Sequence, residues 1–207
     1  MYLQRTQVST RAGTHAEVET VFKRLSNRLQ GQPDFLKLTV FHALGHPSKY
    51  QIHTRWETRE AAEAYRKSPE TAAFEEKNKV SSLILEDAPV KGYTSTTIVG
   101  DQDEAEVLAI IEWTLRLPAV KPFEDSRDEL AKLRQKHAPG FACSELFRWM
   151  GDPINQLLLN GYRNIADYDA SENHEEIQAF QKDHAASLYT DLNRPSARER
   201  YEIVIRG

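Results

Sequence analysis

The chain contains an internal repeat, in which Pro139–Phe180 follows the pattern of Pro33–Phe74 without a gap. The shared positions carry glycine, proline and aromatic residues, the types that set turns and cores. The matched pairs are Pro33 with Pro139, Phe35 with Phe141, Phe41 with Phe147, Gly45 with Gly151, Pro47 with Pro153, Trp56 with Tyr162 and Phe74 with Phe180. We therefore predict two copies of one domain, over residues 1–100 and 104–207, joined by a short acidic linker at Gly100–Glu104.

Each copy is predicted to contain the elements βαββαβ in that order. In the first copy these are strand Tyr2–Ser9, a helix from His15 to Leu29, strands Phe35–Leu44 and Lys49–Glu57, a helical region from Arg59 to Phe74 and strand Val90–Val99. In the second they are strand Glu104–Leu115, helix Phe123–His137, strands Phe141–Met150 and Leu157–Tyr162, helix Glu175–Leu188 and strand Tyr201–Ile205. Thr14 and Thr58 precede helices as candidate N-caps.

This order is the ferredoxin-like α+β pattern, an antiparallel sheet with two helices on one face. The other face of such a sheet is left uncovered and would expose a large apolar patch. We therefore expect the two repeats to pack sheet to sheet as a pseudo-dimeric α/β barrel. Whether whole chains also pair as a homodimer stays open.

Composition and charge indicate which kinds of partner and which location to expect for the protein. The net charge of −4 over 207 residues gives no basic field, so no nucleic acid is expected to bind. Neither a signal peptide nor an apolar run of membrane-spanning length is visible, so no membrane association is expected. The single Cys143 fits a reducing compartment, and a cytoplasmic location is predicted.

One stretch of the first copy resembles a known family. The segment Trp56–Ala61, followed by Tyr65, Ser68–Glu70 and Phe74, is similar to the strand tryptophan, helix and later serine and phenylalanine of antibiotic biosynthesis monooxygenase (ABM) domains. The resemblance implies a dimeric α/β barrel with a small interior pocket in each half. It also implies, for some members, oxygenation of aromatic polyketide-like substrates without a cofactor, or oxidative breakdown of haem.

The haem-degrading members of that family carry an asparagine, a tryptophan and a histidine ligand at three positions. The matching positions here hold Thr6, Tyr65 and Glu75. Because a carboxylate is a poor substitute for the usual axial imidazole, no cofactor is predicted and haem is not favoured. His53 and His184 stay open as alternative haem ligands.

Strand alternation supplies candidate pocket residues. In the first copy it predicts Leu36, Leu38 and Val40 toward the helices, and Phe35, Lys37, Thr39 and Phe41 toward the interior. In the second it predicts Phe141, Cys143, Glu145 and Phe147 toward the interior, with Glu112 on the neighbouring strand. The candidate catalytic residues are Tyr65, Glu112 and Glu145, and the candidate substrate-binding residues are Thr6, Phe35, Thr39, Phe41, His53, Trp56, Phe74, Phe147 and Tyr162.

Each of these candidates also has a structural interpretation. A carboxylate among aromatic walls can gain a raised pKa and act as a general base, but Glu112 and Glu145 could instead pair with Arg148 or Arg163. The aromatic residues could simply be core. No histidine spacing or second cysteine predicts a metal site.

These observations lead to two functional hypotheses. The first is a cofactor-independent monooxygenase-like protein that acts on a small aromatic, polyketide-like or quinone substrate in an interior pocket. The alternative is a non-catalytic barrel that binds a hydrophobic ligand or haem.

Overall fold

The structure is a computed structural model that describes residues 1–191 and 197–207. The chain divides into two compact units. The first comprises Met1–Tyr93 with Ile203–Gly207, and the second comprises Thr94–Glu202. The predicted domains 1–100 and 104–207 come from the repeat in the sequence, whereas these units are defined by contacts in the structure. The two predicted domains therefore stay predictions.

The first unit is an antiparallel sheet with helices on one face. Its elements are β1 (Tyr2–Thr10), α1 (His15–Leu29), β2 (Phe35–Ala43), β3 (Lys49–Trp56), α2 (Arg59–Arg66), α3 (Pro69–Lys77), α4 (Val80–Leu83) and β4 (Ile84–Asp87). Strand β3 lies between β1 and β2, and β4 pairs with the other edge of β1. The end of the chain extends this sheet, because Gly207 exchanges backbone hydrogen bonds of 2.6 and 3.0 Å with Leu38.

Local sequence explains where two helices of the first unit, α2 and α3, begin. The Thr58 hydroxyl accepts a hydrogen bond from the Ala61 amide and caps α2. Ser68 caps α3 in the same way, and Pro69 occupies the first turn, where its missing N–H costs nothing. Thr14 precedes α1 as predicted, but its hydroxyl donates backward to the Arg11 carbonyl and makes no cap bond.

The second unit has the same arrangement of strands. Its elements are β6 (Val107–Thr114), α5 (Val120–His137), β7 (Phe141–Trp149), β8 (Asn155–Tyr162), α6 (Ile165–Glu172) and α7 (Glu175–Asp183). Strand β8 lies between β6 and β7, as β3 lies between β1 and β2. Two further strands, β5 (Lys91–Gly100) and β9 (Ala197–Arg206), each have residues in both units. Helix α6 was not predicted from the sequence.

A β-bulge occurs at equivalent places in the two units, between Phe35 and Lys37 in β2 and between Phe141 and Cys143 in β7. A bulge inserts an extra residue and changes the face to which the earlier side chain points. Phe35 and Phe141 therefore pack in the cores on the helix side, not on the opposite face that alternation predicts. Leu36 is exposed at 47% for the same reason, whereas Leu38 and Val40 meet the helices as predicted.

Each unit is thus an α+β, ferredoxin-like fold. The core of the first unit lies between its sheet and helices and centres on Phe22, Tyr50 and Trp56. The second unit has its core on the helix side as well, around Trp113, Phe123 and Leu146. This layer between sheet and helices is where each candidate site lies.

Candidate functional site

Four of the predicted residues meet in the first unit, on the helix side of the sheet. The ring of Trp56, the last residue of β3, lies 5.3 Å from that of Phe35 and 5.4 Å from that of Tyr65 on α2. Arg28, from α1, places its guanidinium carbon 5.8 Å from the Tyr65 ring and 5.6 Å from the Phe74 ring on α3. We call these five side chains the aromatic cluster. Arg28 was not predicted from the sequence.

Three polar atoms of the aromatic cluster are buried without a hydrogen-bond partner among the described residues. They are Arg28 Nε, Trp56 Nε1 and the Tyr65 hydroxyl. Buried polar groups are usually satisfied, so a group of three invites an explanation. All three can donate, and the cluster would therefore suit an oxygen-bearing aromatic molecule. Thr6 points to the same face of the sheet, opposite Ile52.

The remaining predicted residues of the first unit lie on the opposite face of the sheet. Thr39, Phe41 and His53 are fully buried there, with the His53 ring 4.7 Å from the Phe41 ring. His53 Nε2 lies 3.3 Å from Gln51 Oε1. Burial, followed by the charges of two neighbouring arginines, holds the pKa of His53 well below its usual value. His53 is therefore a neutral ring at physiological pH.

The second unit holds a cavity of about 270 Å³ between its sheet and its helices. Strands β6, β8 and β9 supply one wall, and α5, α6 and α7 supply the other. The apolar lining comes from Ile111, Trp113, Leu130, Leu158 and Ala185, and the polar lining from Arg127, Arg134, Asn160, Glu172, Gln181, His184 and Arg198. We call this the arginine cavity. An aromatic wall beside convergent polar groups occurs in small-molecule sites, and in this cavity polar residues outnumber apolar ones.

Glu172 forms ion pairs with two of the three arginines of the cavity. Its carboxylate oxygens accept from Arg134 Nη2 and from Arg198 Nη2, each at 2.7 Å. Burial acts to raise the pKa of Glu172, but the two guanidinium groups outweigh it and hold that pKa below its usual value. Glu172 is therefore an ionised anchor and a weak proton acceptor.

Arg127 has no such partner. It is 7% exposed, and its hydrogen bonds go to neutral groups, from Nη2 to the His184 carbonyl at 3.0 Å and from Nε to Ser126 Oγ at 3.3 Å. Its guanidinium carbon also lies 5.1 Å from the centre of the Phe123 ring. Burial, with a further contribution from Arg134, lowers the pKa of Arg127 to about 10. The side chain is still a cation at neutral pH.

Asn160 adds a hydrogen-bond donor to the cavity. Its Oδ1 accepts from Ser144 Oγ at 2.8 Å, which orients the amide. Its Nδ2 is buried and has no partner among the described residues, and the same is true of Arg134 Nε. The cavity therefore offers donors without matching acceptors.

The carboxylates predicted to act in the second unit lie elsewhere. Glu112 and Glu145 lie on the face of the sheet opposite the arginine cavity, because the lining residues Ile111 and Trp113 alternate with Glu112 along β6. Phe147 shares that opposite face. Arg148 pairs with Glu124, and Arg163 pairs with Asp167. The catalytic roles of Glu112 and Glu145 stay predictions.

Tyr162 lies on the helix side of the second unit but outside the lining of the cavity. Its hydroxyl lies 3.1 Å from Ser171 Oγ, and its ring packs against those of Phe141 and Tyr168. A hydrogen-bonded hydroxyl within an aromatic core is typical of a structural residue, and Tyr162 has both features.

The arginines of the arginine cavity were not predicted from the sequence. Arg127, Leu130 and Arg134 recur at helical spacing along α5, which places two cations on the stripe that faces the sheet. Charged residues within an otherwise apolar stripe were the available signal. Asn160 offered none, because a single polar residue in a strand is common.

The residues do not fit a haem. Glu75, at the family's ligand position, is exposed. His184 lines a cavity of about 270 Å³, below the size of ordinary ligand pockets and too small for a haem macrocycle. Within the described residues no group of three or more potential metal ligands occurs, and no helix is long and apolar enough to cross a membrane.

Comparison with known proteins identifies the first part of the chain. Residues 1–77 match the family model described as antibiotic biosynthesis monooxygenase. Over these residues the chain is similar to an ABM domain. The match contains Trp56, Tyr65 and Phe74 of the aromatic cluster, and the predicted resemblance is confirmed. Among curated proteins, no relative of the chain is found.

Solved structures resemble the chain over its whole length. A candidate monooxygenase from Lactobacillus acidophilus NCFM has a TM-score of 0.78 at 9% identity, over 100% of this chain and 95% of that one. An anthrone oxidase-like protein has a TM-score of 0.73 at 7% identity, over 100% and 92%. A heme-degrading enzyme from Listeria monocytogenes has a TM-score of 0.56 at 11% identity, over 98% and 99%. At these identities the likeness shows the fold alone.

Proposed function

We propose that this protein is a cofactor-independent, monooxygenase-like enzyme that acts on a small aromatic, polyketide-like or quinone substrate in an interior pocket. The observation that carries the proposal is the arginine cavity, which lies between sheet and helices and combines the Trp113 wall with unpaired donors. The ABM family match at residues 1–77 and the monooxygenase-like and anthrone oxidase-like neighbours support the same class of function.

The chemistry requires an anionic substrate. An electron-rich phenolate or enolate can react with oxygen directly, so the protein needs only to bind the substrate, exclude water and stabilise its anion. Arg127 is a buried cation without a carboxylate partner, and it would lower the pKa of a phenol or enol bound beside it. Trp113 would stack against the ring.

The first unit is the second place where substrate could bind. Its aromatic cluster also has unpaired donors, and the proposal keeps Tyr65 there as a candidate proton acceptor or donor. The equivalent strand pairing and the equivalent bulges within each unit support a tandem duplication. The packing of the two repeats as a pseudo-dimeric barrel is part of the proposal. A duplicated chain would let one pocket keep activity while the other diverges.

Oxygen uptake tests the proposal. The purified protein is mixed with an anthrone or a hydroquinone, and oxygen consumption is compared with the uncatalysed rate. We expect saturable uptake that is lost in Ala185→Phe, because that side chain fills the arginine cavity from its rim. The control is Lys182→Phe, an exposed position near the end of α7 and close to Ala185 in the chain. Uptake that is absent, or equal in both variants, contradicts a reaction in this cavity.

One observation favours a non-catalytic binding protein as the second candidate. Glu172 is the carboxylate that lines the arginine cavity, and its two ion pairs make it a poor general base. A protein that gains thermal stability from the ligand but consumes no oxygen would belong to this class. A titration with haem is expected to give no shift of the Soret band, and a shift would support the haem-binding alternative.

A further inference from the structure

The lining of the arginine cavity carries an excess of positive charge. Three arginines face the single carboxylate of Glu172, so the lining has a net charge of +2 with His184 neutral. Arg134 and Arg198 share that carboxylate, each at 2.7 Å. Arg127 makes no ion pair with any described residue and bonds only to a carbonyl and a hydroxyl.

An unpaired buried cation is unfavourable in a folded protein. Removing a guanidinium from water weakens its solvation, and neutral hydrogen bonds replace only part of what is lost. The depressed pKa of Arg127 reflects that cost. Such a residue is better explained as half of an ion pair whose other half is a ligand.

The donors around Arg127 define the ligand further. Asn160 Nδ2 and Arg134 Nε are both buried and unpartnered among the described residues that line the cavity. Together with the guanidinium of Arg127 they offer hydrogen bonds to acceptor oxygens. Ile111, Trp113 and Leu158 line the same space with apolar surface.

From this arrangement we infer that the arginine cavity binds a small aromatic carboxylate, with Arg127 as the cation that pairs with its carboxyl group. The ring of the ligand packs against Trp113, and the carboxylate accepts from Arg127 and Asn160. The volume of about 270 Å³ limits the ligand to a small molecule. The inference rests on the proposed function, since it names the substrate class of the same cavity.

Benzoate and its neutral isostere benzamide are the probes for this inference. Isothermal titration calorimetry on the unmodified protein should show benzoate binding about tenfold to a hundredfold more tightly than benzamide, which is the usual strength of hydrogen bonds to charged groups. Ala185→Phe should abolish the binding of both, because it fills the cavity. Equal affinities, or no saturable benzoate binding below about 10 mM, would overturn the inference.

Variants of Arg127 test whether the preference for benzoate depends on this side chain. Arg127→Gln should reduce the benzoate affinity to that of benzamide, whereas Arg127→Lys should lose only part of it, because lysine keeps the charge but not the planar fork. The matched control is Lys136→Gln, which removes one positive charge from the exposed face of the same helix and should leave the affinity unchanged. Benzoate affinity that survives Arg127→Gln contradicts the assignment. If that variant does not fold, the probe pair on the unmodified protein decides.

The benzoate experiment and the oxygen-uptake experiment can fail independently of each other. Arg127-dependent benzoate binding without oxygen consumption keeps this inference and removes the enzymatic proposal. Oxygen consumption without a preference for benzoate over benzamide keeps the enzyme and removes the carboxylate.

Discussion

Replacing Glu172 by glutamine tests the electrostatic account of the second unit. The carboxylate accepts from Arg134 and Arg198 at 2.7 Å each, and the Arg134 side chain is only 4% exposed. Glutamine keeps the shape and one acceptor oxygen but removes the charge. Arg134 would then remain buried beside Arg127 without any counter-charge.

The expected loss of stability follows from the burial of the two pairs. Breaking a buried ion pair by removing one partner costs about 3–5 kcal/mol. The Arg198 side chain is 41% exposed, and an exposed pair contributes only about 0–1 kcal/mol. Because Glu172 keeps some access to water and glutamine keeps a hydrogen bond, we expect Glu172→Gln to lower the free energy of unfolding by about 2–3 kcal/mol.

The loss should depend on pH in a defined direction. The pKa of Glu172 is lower in the folded protein than the ordinary value of 4.5, so the unfolded chain takes up the proton first as the pH falls. The stabilisation is therefore fully present above pH 4.5 and is lost as the pH falls through the lower, folded pKa. Urea unfolding of both proteins at neutral pH and at about pH 4 and 3 measures this difference.

The control for this experiment is Glu129→Gln, an exposed glutamate on α5. It should change the free energy of unfolding by less than about 0.5 kcal/mol. A Glu172→Gln variant that loses no more than this control, or that loses the same amount at every pH, would refute the assignment of Glu172 as the ionised anchor of two arginines.

Three further substitutions have defined outcomes. Tyr65→Phe should raise the free energy of unfolding by about 1 kcal/mol or more, because it removes a buried hydroxyl that has no described partner, and unchanged oxygen uptake would remove Tyr65 from the proposed catalytic groups. His53→Leu should reduce the loss of stability that occurs below pH 6.5. Burial and two arginines lower the pKa of His53 in the folded protein, so the unfolded chain takes up the proton first as the pH falls. Urea unfolding at about pH 7.5 and 5.5 tests this, and an equal fall of the midpoint in both proteins would count against it. Gly161→Ala should cost about 1–3 kcal/mol, because its new methyl would lie 2.6 Å from Cys143 Sγ, whereas Gly31→Ala meets no atom within 4 Å and should cost less; calorimetric unfolding compares the two.

The positions of most helices and strands followed from local sequence. Thr58, Ser68 and Pro69 mark two helix starts by chemistry that acts within a few residues, and the structure begins α2 and α3 at those places. The aromatic residues of the ABM resemblance also meet as a cluster, because period-two and period-3.6 spacing placed them on facing surfaces.

Local spacing was not enough to predict the sheet face to which some side chains point or the charged residues that reach each site. The β-bulges that turn Phe35 and Phe141 toward the helices arise from strand pairing, which no local pattern records. The missed Arg28 reaches the aromatic cluster only because α1 packs near α2 and α3.

By itself, the sequence determined the α+β class, the positions of most helices and strands and the resemblance of its first 77 residues to the ABM family, because turns, caps and hydrophobic period act between near neighbours. Only the tertiary structure decided that Arg127, Asn160 and Glu172 line one cavity and that Arg127 lacks a counter-charge there. Desolvation and charge pairing depend on groups far apart in the chain, so their balance appears only once α5 and α6 pack on the sheet.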